Sequence, residues 1–110
     1  MDATIPEKTC VLATHRQVTL LMLYFEECDA LRFQVLQWIS LPPSIQSVVS
    51  FLVIDDHSTF SAAQCLSSLL PQRGRDIEIN IVRIDERKEW NIGGGRNVGS
   101  FVSCAPYLLI

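Results

Sequence analysis

The sequence predicts an α/β chain built on a mostly parallel sheet, and three observations predict it. Short continuous apolar runs recur along the chain, single segments of helical period separate them, and acids or glycines follow the runs directly. Buried parallel strands read as unbroken apolar stretches because both faces are covered, and single helices between them supply the right-handed crossovers that such sheets require. The expected order is βαβαβαβ.

Residues 1–16 are mixed and polar without periodicity, so they form a poorly defined lead-in, and 17–110 form the domain. Val18-Thr19-Leu20-Leu21-Met22-Leu23-Tyr24-Phe25 is the first strand run, ending at Glu26-Glu27. From Cys28, Leu31, Val35, Leu36 and Ile39 recur at helical spacing with Phe33 and Trp38 beside them, until Leu41-Pro42-Pro43 stops the pattern. Val48 to Ile54 gives a second buried strand. Ser61 to Leu70 gives a second helix, stopped by Pro71 and followed by Gly74, with Ser58 or Thr59 as the expected N-cap. Ile77, Ile79, Ile81 and Ile84 mark a third strand, whose alternating Glu78, Asn80 and Arg83 suit a partly exposed face. Gly94 to Ser103 reads as a third helix and Tyr107 to Ile110 as the start of a fourth strand. The chain stops inside that strand, as the front half of something larger would.

Composition narrows the function classes. At 110 residues the chain has room for one domain, and 48% hydrophobic with 19% charged residues is a globular balance. A net charge of -3 offers no basic footprint for a nucleic acid. Cys10, Cys28, Cys65 and Cys104 include no CxxC pair, so reduced, mostly buried thiols are expected rather than a zinc or redox motif. The N-terminus has no basic start followed by an apolar stretch, and the longest apolar run, Leu20 to Phe25, falls far short of the roughly 20 residues of a membrane span. Neither export nor a membrane segment is expected, and cytoplasmic residence is the default.

In a parallel sheet the loops after successive strands open on one edge, where ligands bind. That gathers Glu26, Glu27, Asp55, Asp56 and the loop Trp90-Asn91-Ile92-Gly93-Gly94-Gly95-Arg96-Asn97 into one expected crevice. Asp56 is the preferred reader of a nucleotide base, since a carboxylate there accepts a base N–H or a ribose hydroxyl. Its neighbour Asp55 serves equally as a ligand group or as a helix cap. Tyr24 is a candidate lining of the base pocket. Glu26 either meets the nucleoside or starts the helix, and Glu27 suits the helix start. Three consecutive glycines let backbone approach a bulky ligand, and Arg96 then brings a cation toward a diphosphate, with Asn97 either beside it or tying neighbouring loops. Trp90 is read as a loop anchor, His57 as a loop residue beside the site, and the charged run Asp85 to Glu89 as a solvated turn.

Tyr24-Phe25-Glu26 after the first strand, Val53-Ile54-Asp55-Asp56-His57-Ser58 after the second, and Trp90 to Gly99 before the fourth resemble, in that order, the amino-terminal half of a family 2, GT-A type glycosyltransferase. The similarity runs from about Val18 to the end. It implies a Rossmann-like nucleotide-binding half of a GT-A fold, a nucleotide-diphosphate-sugar donor and an unknown acceptor. The acid matching Asp56 would bind the base, the first-strand turn would line the nucleoside pocket, and Arg96 and Asn97 would sit on the family's Ala-Arg-Asn motif near the donor. Phe25 stands where Asn is common, and Gly95 where Ala is common. The resemblance also implies a divalent metal, Mn or Mg, held in the full-length enzyme by an Asp-x-Asp motif beyond Ile110, with the general base further on. Without both, this polypeptide is expected to show no transferase activity by itself.

Three other readings compete for the same residues. A receiver domain needs a phosphoacceptor Asp and a Lys on later strands, but no Asp follows Asp85 and no Lys follows Lys88. A dinucleotide-binding fold needs its glycine turn after the first strand, whereas here the acids come first. The third alternative is a non-catalytic nucleotide-binding or interaction remnant, told apart by whether an Asp-x-Asp follows Ile110 in frame.

Overall fold

β-branched and aliphatic residues dominate Val18–Tyr24, which forms β1, and the turn at Phe25-Glu26 leads directly into helix α1, Cys28–Ile39. These elements come from a computed structural model that describes residues 14–72, 77–85, 98 and 103–109. The buried stripe of α1 is Leu31, Val35 and Trp38, the i, i+4, i+7 spacing of one helix face. Leu36 and Phe33 fall outside it and are exposed, which corrects the expectation that Leu36 packs inward while Trp38 lies beside the stripe.

Pro42-Pro43 ends α1 but also starts a short helix, α2, Pro43–Gln46, with proline in its first turn where the missing N–H is no loss. The buried Gln46 side chain donates through Nε2 to the carbonyls of Trp38 (3.1 Å) and Ile39 (3.0 Å). Both carbonyls lie in the last turn of α1, beyond the reach of i+4 helical amides, and that of Trp38 also accepts from the Leu41 amide at 3.2 Å.

Strand β2, Val49–Asp55, is buried over nearly its whole length. Helix α3, Ala62–Leu66, is shorter than the sequence predicts and is followed by a single 3-10 turn, Leu70–Gln72. Its N-cap is Ser61, not Ser58 or Thr59. Ser61 Oγ accepts from the Gln64 amide, and the Gln64 side chain accepts from the Ser61 amide, a capping box that the pattern Ser-x-x-Gln already encodes. Strands β3, Glu78–Arg83, and β4, Tyr107–Leu109, complete the sheet.

The order is β3-β2-β1-β4 and every pairing is parallel. β1 and β2 pair in register from Val18↔Val49 to Tyr24↔Asp55, and β2 and β3 from Ser50↔Glu78 to Asp55↔Arg83. One face carries α1 and α3 over a core in which Trp38 stacks on Phe51, ring centroids 4.5 Å apart. The other face holds Leu21, Leu52 and Ile54, packed by Leu23, Val82, Ile84, Leu108 and Val98. Val98 is helical, but Ser103, the expected last residue of the 94–103 helix, lies in a β-bridge instead; the other residues of that segment lie outside the described residues. The architecture is α/β with a parallel four-stranded sheet, compatible with a Rossmann-like arrangement.

The cysteines overturn one expectation. Cys28 and Cys65 form a disulfide with Cα atoms 5.6 Å apart, and Cys104 is also disulfide-bonded. Packing α1 and α3 side by side on one face brings the first residue of one helix within bonding distance of the other, a proximity that sequence spacing does not reveal. Among the described residues no helix is long and apolar enough to cross a membrane.

Candidate functional site

The strand order reverses between β1 and β4, because the chain steps from β1 to β2 to β3 on one side and then returns to pair β4 on the other. In open parallel sheets the crevice at such a reversal, outside the carboxyl ends of the strands, is where ligands bind. The turn after β1 therefore holds the favoured position, and the turn after β2 lies next to it on the same rim. Sequence reading gathered both turns on one edge but did not single out the first, since strand order cannot be read from the run of elements.

Asp55 ends β2 and is 1% exposed. Its Oδ1 accepts from the Ser58 amide at 3.0 Å, and its Oδ2 accepts from the Ala62 amide at 2.8 Å and from Arg83 Nη1 at 3.1 Å. A carboxylate buried this deeply needs such partners, and three donors from its own turn, from α3 and from β3 provide them. Of its two sequence roles the structure displays the capping one, with Asp55 bonded to the first residue of α3.

Asp56 is placed differently. Its amide donates to the Tyr24 carbonyl at 3.0 Å, extending the β1–β2 ladder by one step, and the residue is partly exposed at the rim. Next to it His57 has φ 54°, a left-handed conformation that disfavours residues with a Cβ, and its Nδ1 lies 3.3 Å from the Ile84 carbonyl.

Tyr24 is buried, and its hydroxyl donates to the Phe60 carbonyl at 2.7 Å. Burial first, then the charges of Asp55 and Glu26, push its phenol above the ordinary value, so it stays a protonated donor. The structure thus places Tyr24 beneath the rim as a strut for the second turn. Glu26, with φ 53°, spans the two turns. Its amide donates to the buried Ser58 Oγ at 3.0 Å, and its Oε1 accepts from the amides of Thr59 and Phe60. Glu27 is the N-cap residue of α1 without a side-chain cap bond, as the helix-start reading implies.

Four of the six sequence candidates, Tyr24, Glu26, Asp55 and Asp56, are therefore brought together. Arg96 and Asn97 lie outside the described residues. What sequence reasoning missed is the role of Ser58, fully buried and pivotal between the turns, and the exposure of the aromatics Phe25 and Phe60 near Glu26. A serine three residues past the acid that ends a strand was the available signal for the first; nothing in the residue types marked Glu26 or His57 for a left-handed backbone.

The rim is acidic, with Glu26, Glu27, Asp55 and Asp56 on adjacent turns, while Arg83 is engaged by Asp55 and Arg32 donates to the Cys65 carbonyl at 3.0 Å. Such a surface suits neutral hydrogen-bond donors, the N–H and O–H groups of a nucleoside, and repels phosphates unless a cation is supplied. Among the described residues no group of three or more His, Cys, Asp or Glu side chains is arranged to hold a metal ion. Comparison of the chain with protein-family models, curated proteins and solved structures finds no match.

Proposed function

We propose that the chain is the nucleotide-diphosphate-sugar-binding part of a glycosyltransferase. The observation that supports this most directly is the parallel β1–β2 register. It sets Asp56 beside the turn after β1 on the rim where the strand order reverses. Asp56 accepts hydrogen bonds from the base, and Glu26 holds the two turns in the spacing that the nucleoside enters. The diphosphate requires positive charge, which Arg96 and a Mn or Mg ion would supply.

The test is a calorimetric titration of the full gene product with several nucleotide sugars in the presence of Mn or Mg, comparing the parent with Asp56→Ala. A charge-assisted bond of about 1.5 to 3 kcal/mol corresponds to a roughly 10- to 150-fold loss of affinity. Circular dichroism of the variant should stay that of the parent. Equal affinity in the two proteins, or no binding of any nucleotide sugar, would remove the assignment.

A further inference from the structure

We propose that Cys28 and Cys65 are a reversible dithiol–disulfide pair that sets how firmly the 56–61 turn is held against the 25–27 turn. Cys28 directly follows the first turn, and Cys65 sits on α3, which directly follows the second. The disulfide between them, Cα atoms 5.6 Å apart, is thus a covalent staple across the same gap that Glu26 spans with hydrogen bonds. The two sulfurs are not equivalent, since Cys28 is partly exposed and Cys65 is 1% exposed.

What makes the pair reversible, and not only structural, is the surroundings of Cys65. Its Sγ lies 3.2 Å from the Tyr24 hydroxyl, which donates its single proton to the Phe60 carbonyl. In the disulfide the sulfur carries no proton. Once reduced, the Cys65 thiol can donate to the Tyr24 oxygen, completing a chain from sulfur through hydroxyl to the Phe60 carbonyl. The reduced thiol is therefore buried but partnered, and the fold accommodates both states. The reduced thiol thus avoids the desolvation penalty of an unpartnered buried group, so burial does not oppose reduction.

Oxidation needs a low-molecular-weight disulfide such as oxidised glutathione. The Cys28 thiolate attacks one of its sulfurs, forming a mixed disulfide and releasing one small thiol. The Cys65 sulfur then attacks Cys28 Sγ, its proton passing to the departing thiolate, which leaves as the second small thiol, so two electrons pass from the protein to the oxidant. Accessibility assigns the entering role to Cys28 and the resolving role to Cys65.

The experiment equilibrates the folded 110-residue chain in glutathione buffers of graded ratio, reads Cys28 and Cys65 by differential alkylation and peptide mass spectrometry, and follows amide exchange in both end states. Both cysteines should become alkylated together, in the native state, as one two-electron step. In the reduced protein the Thr59 and Phe60 amides should exchange about tenfold faster, and the Cys28→Ser variant should show that fast exchange without reductant. Resistance of the pair to reduced glutathione until the chain unfolds, failure to oxidise at any ratio, or equal exchange in the two states would each overturn the proposal. No nucleotide enters these measurements, so they stand or fall separately from the sugar-nucleotide assignment.

Discussion

The turn after β2 is built around a buried carboxylate, whereas the turn after β1 takes its order from its neighbour. In the former, Asp55 bonds the Ser58 amide within the turn, the Ala62 amide at the start of α3 and Arg83 on β3. In the latter, the bonds that fix Glu26 reach across to Ser58, Thr59 and Phe60. Phe25, Glu26 and Glu27 are exposed, while Asp55 and Ser58 are buried. The difference is one of burial: a buried carboxylate builds the scaffold of the rim, while the neighbouring turn keeps its side chains exposed.

Breaking the scaffold should cost most. Asp55→Ala strands two amide donors and a guanidinium, and is expected to lower unfolding free energy by about 3 to 5 kcal/mol in denaturant titrations. Its effect should also reach the first turn, visible as faster exchange of the Glu26 amide. Tyr24→Phe leaves the Phe60 carbonyl without its donor and should cost about 1.5 kcal/mol near neutral pH. It also carries a pH signature. Because the folded phenol is raised above its ordinary 10.0, Tyr24 contributes stability that is fully present below that value and lost as pH rises through the higher folded value. Thermal melts from about pH 9 to 11 should show that alkaline loss in the parent and less of it in the variant.

Breaking the dependent turn should cost less. Glu26→Ala removes an exposed clamp and is expected to cost about 1 kcal/mol, without faster exchange at the Ser58 amide, which Asp55 holds. Glu26→Gly removes the same clamp but suits φ 53°, so it should be the more stable of the two by up to about 1 kcal/mol. The smallest effect is a gain. His57→Gly relieves φ 54° at the expense of a long contact to Ile84, and a rise of about 0.5 kcal/mol is expected in the same titrations.

Periodicity made the strands and α1 legible, since unbroken apolar runs and the Leu31-Val35 spacing are local signals. Trp38 falls beside the stripe that Leu31, Val35, Leu36 and Ile39 suggest, yet stacking on Phe51 holds it in the core with its indole N–H buried. The capping box at Ser61 was also written in the sequence, but the acids upstream drew attention to Ser58 instead. At the rim, Asp55 and Asp56 were visible as a pair and their opposite placements were not. The division depends on Arg83 reaching from another strand and on the ladder continuing through the Asp56 amide. The Cys28–Cys65 link was illegible for a related reason, since it depends on how two helices meet and not on the 37 residues between them.

The opposite end of the sheet has fastenings of its own. There the Gln17 and Val18 amides donate to the Val48 carbonyl, Arg16 reaches the Gln46 carbonyl, and Thr14 bonds Glu78. Because every strand points the same way, these ties stand a full strand length from the acidic turns. Drift in sequence at one end is thereby insulated from the other. Ser44 and Ser47, exposed at the distal end, offer positions where a dye or a surface linker can be attached while the rim stays open to whatever is being titrated.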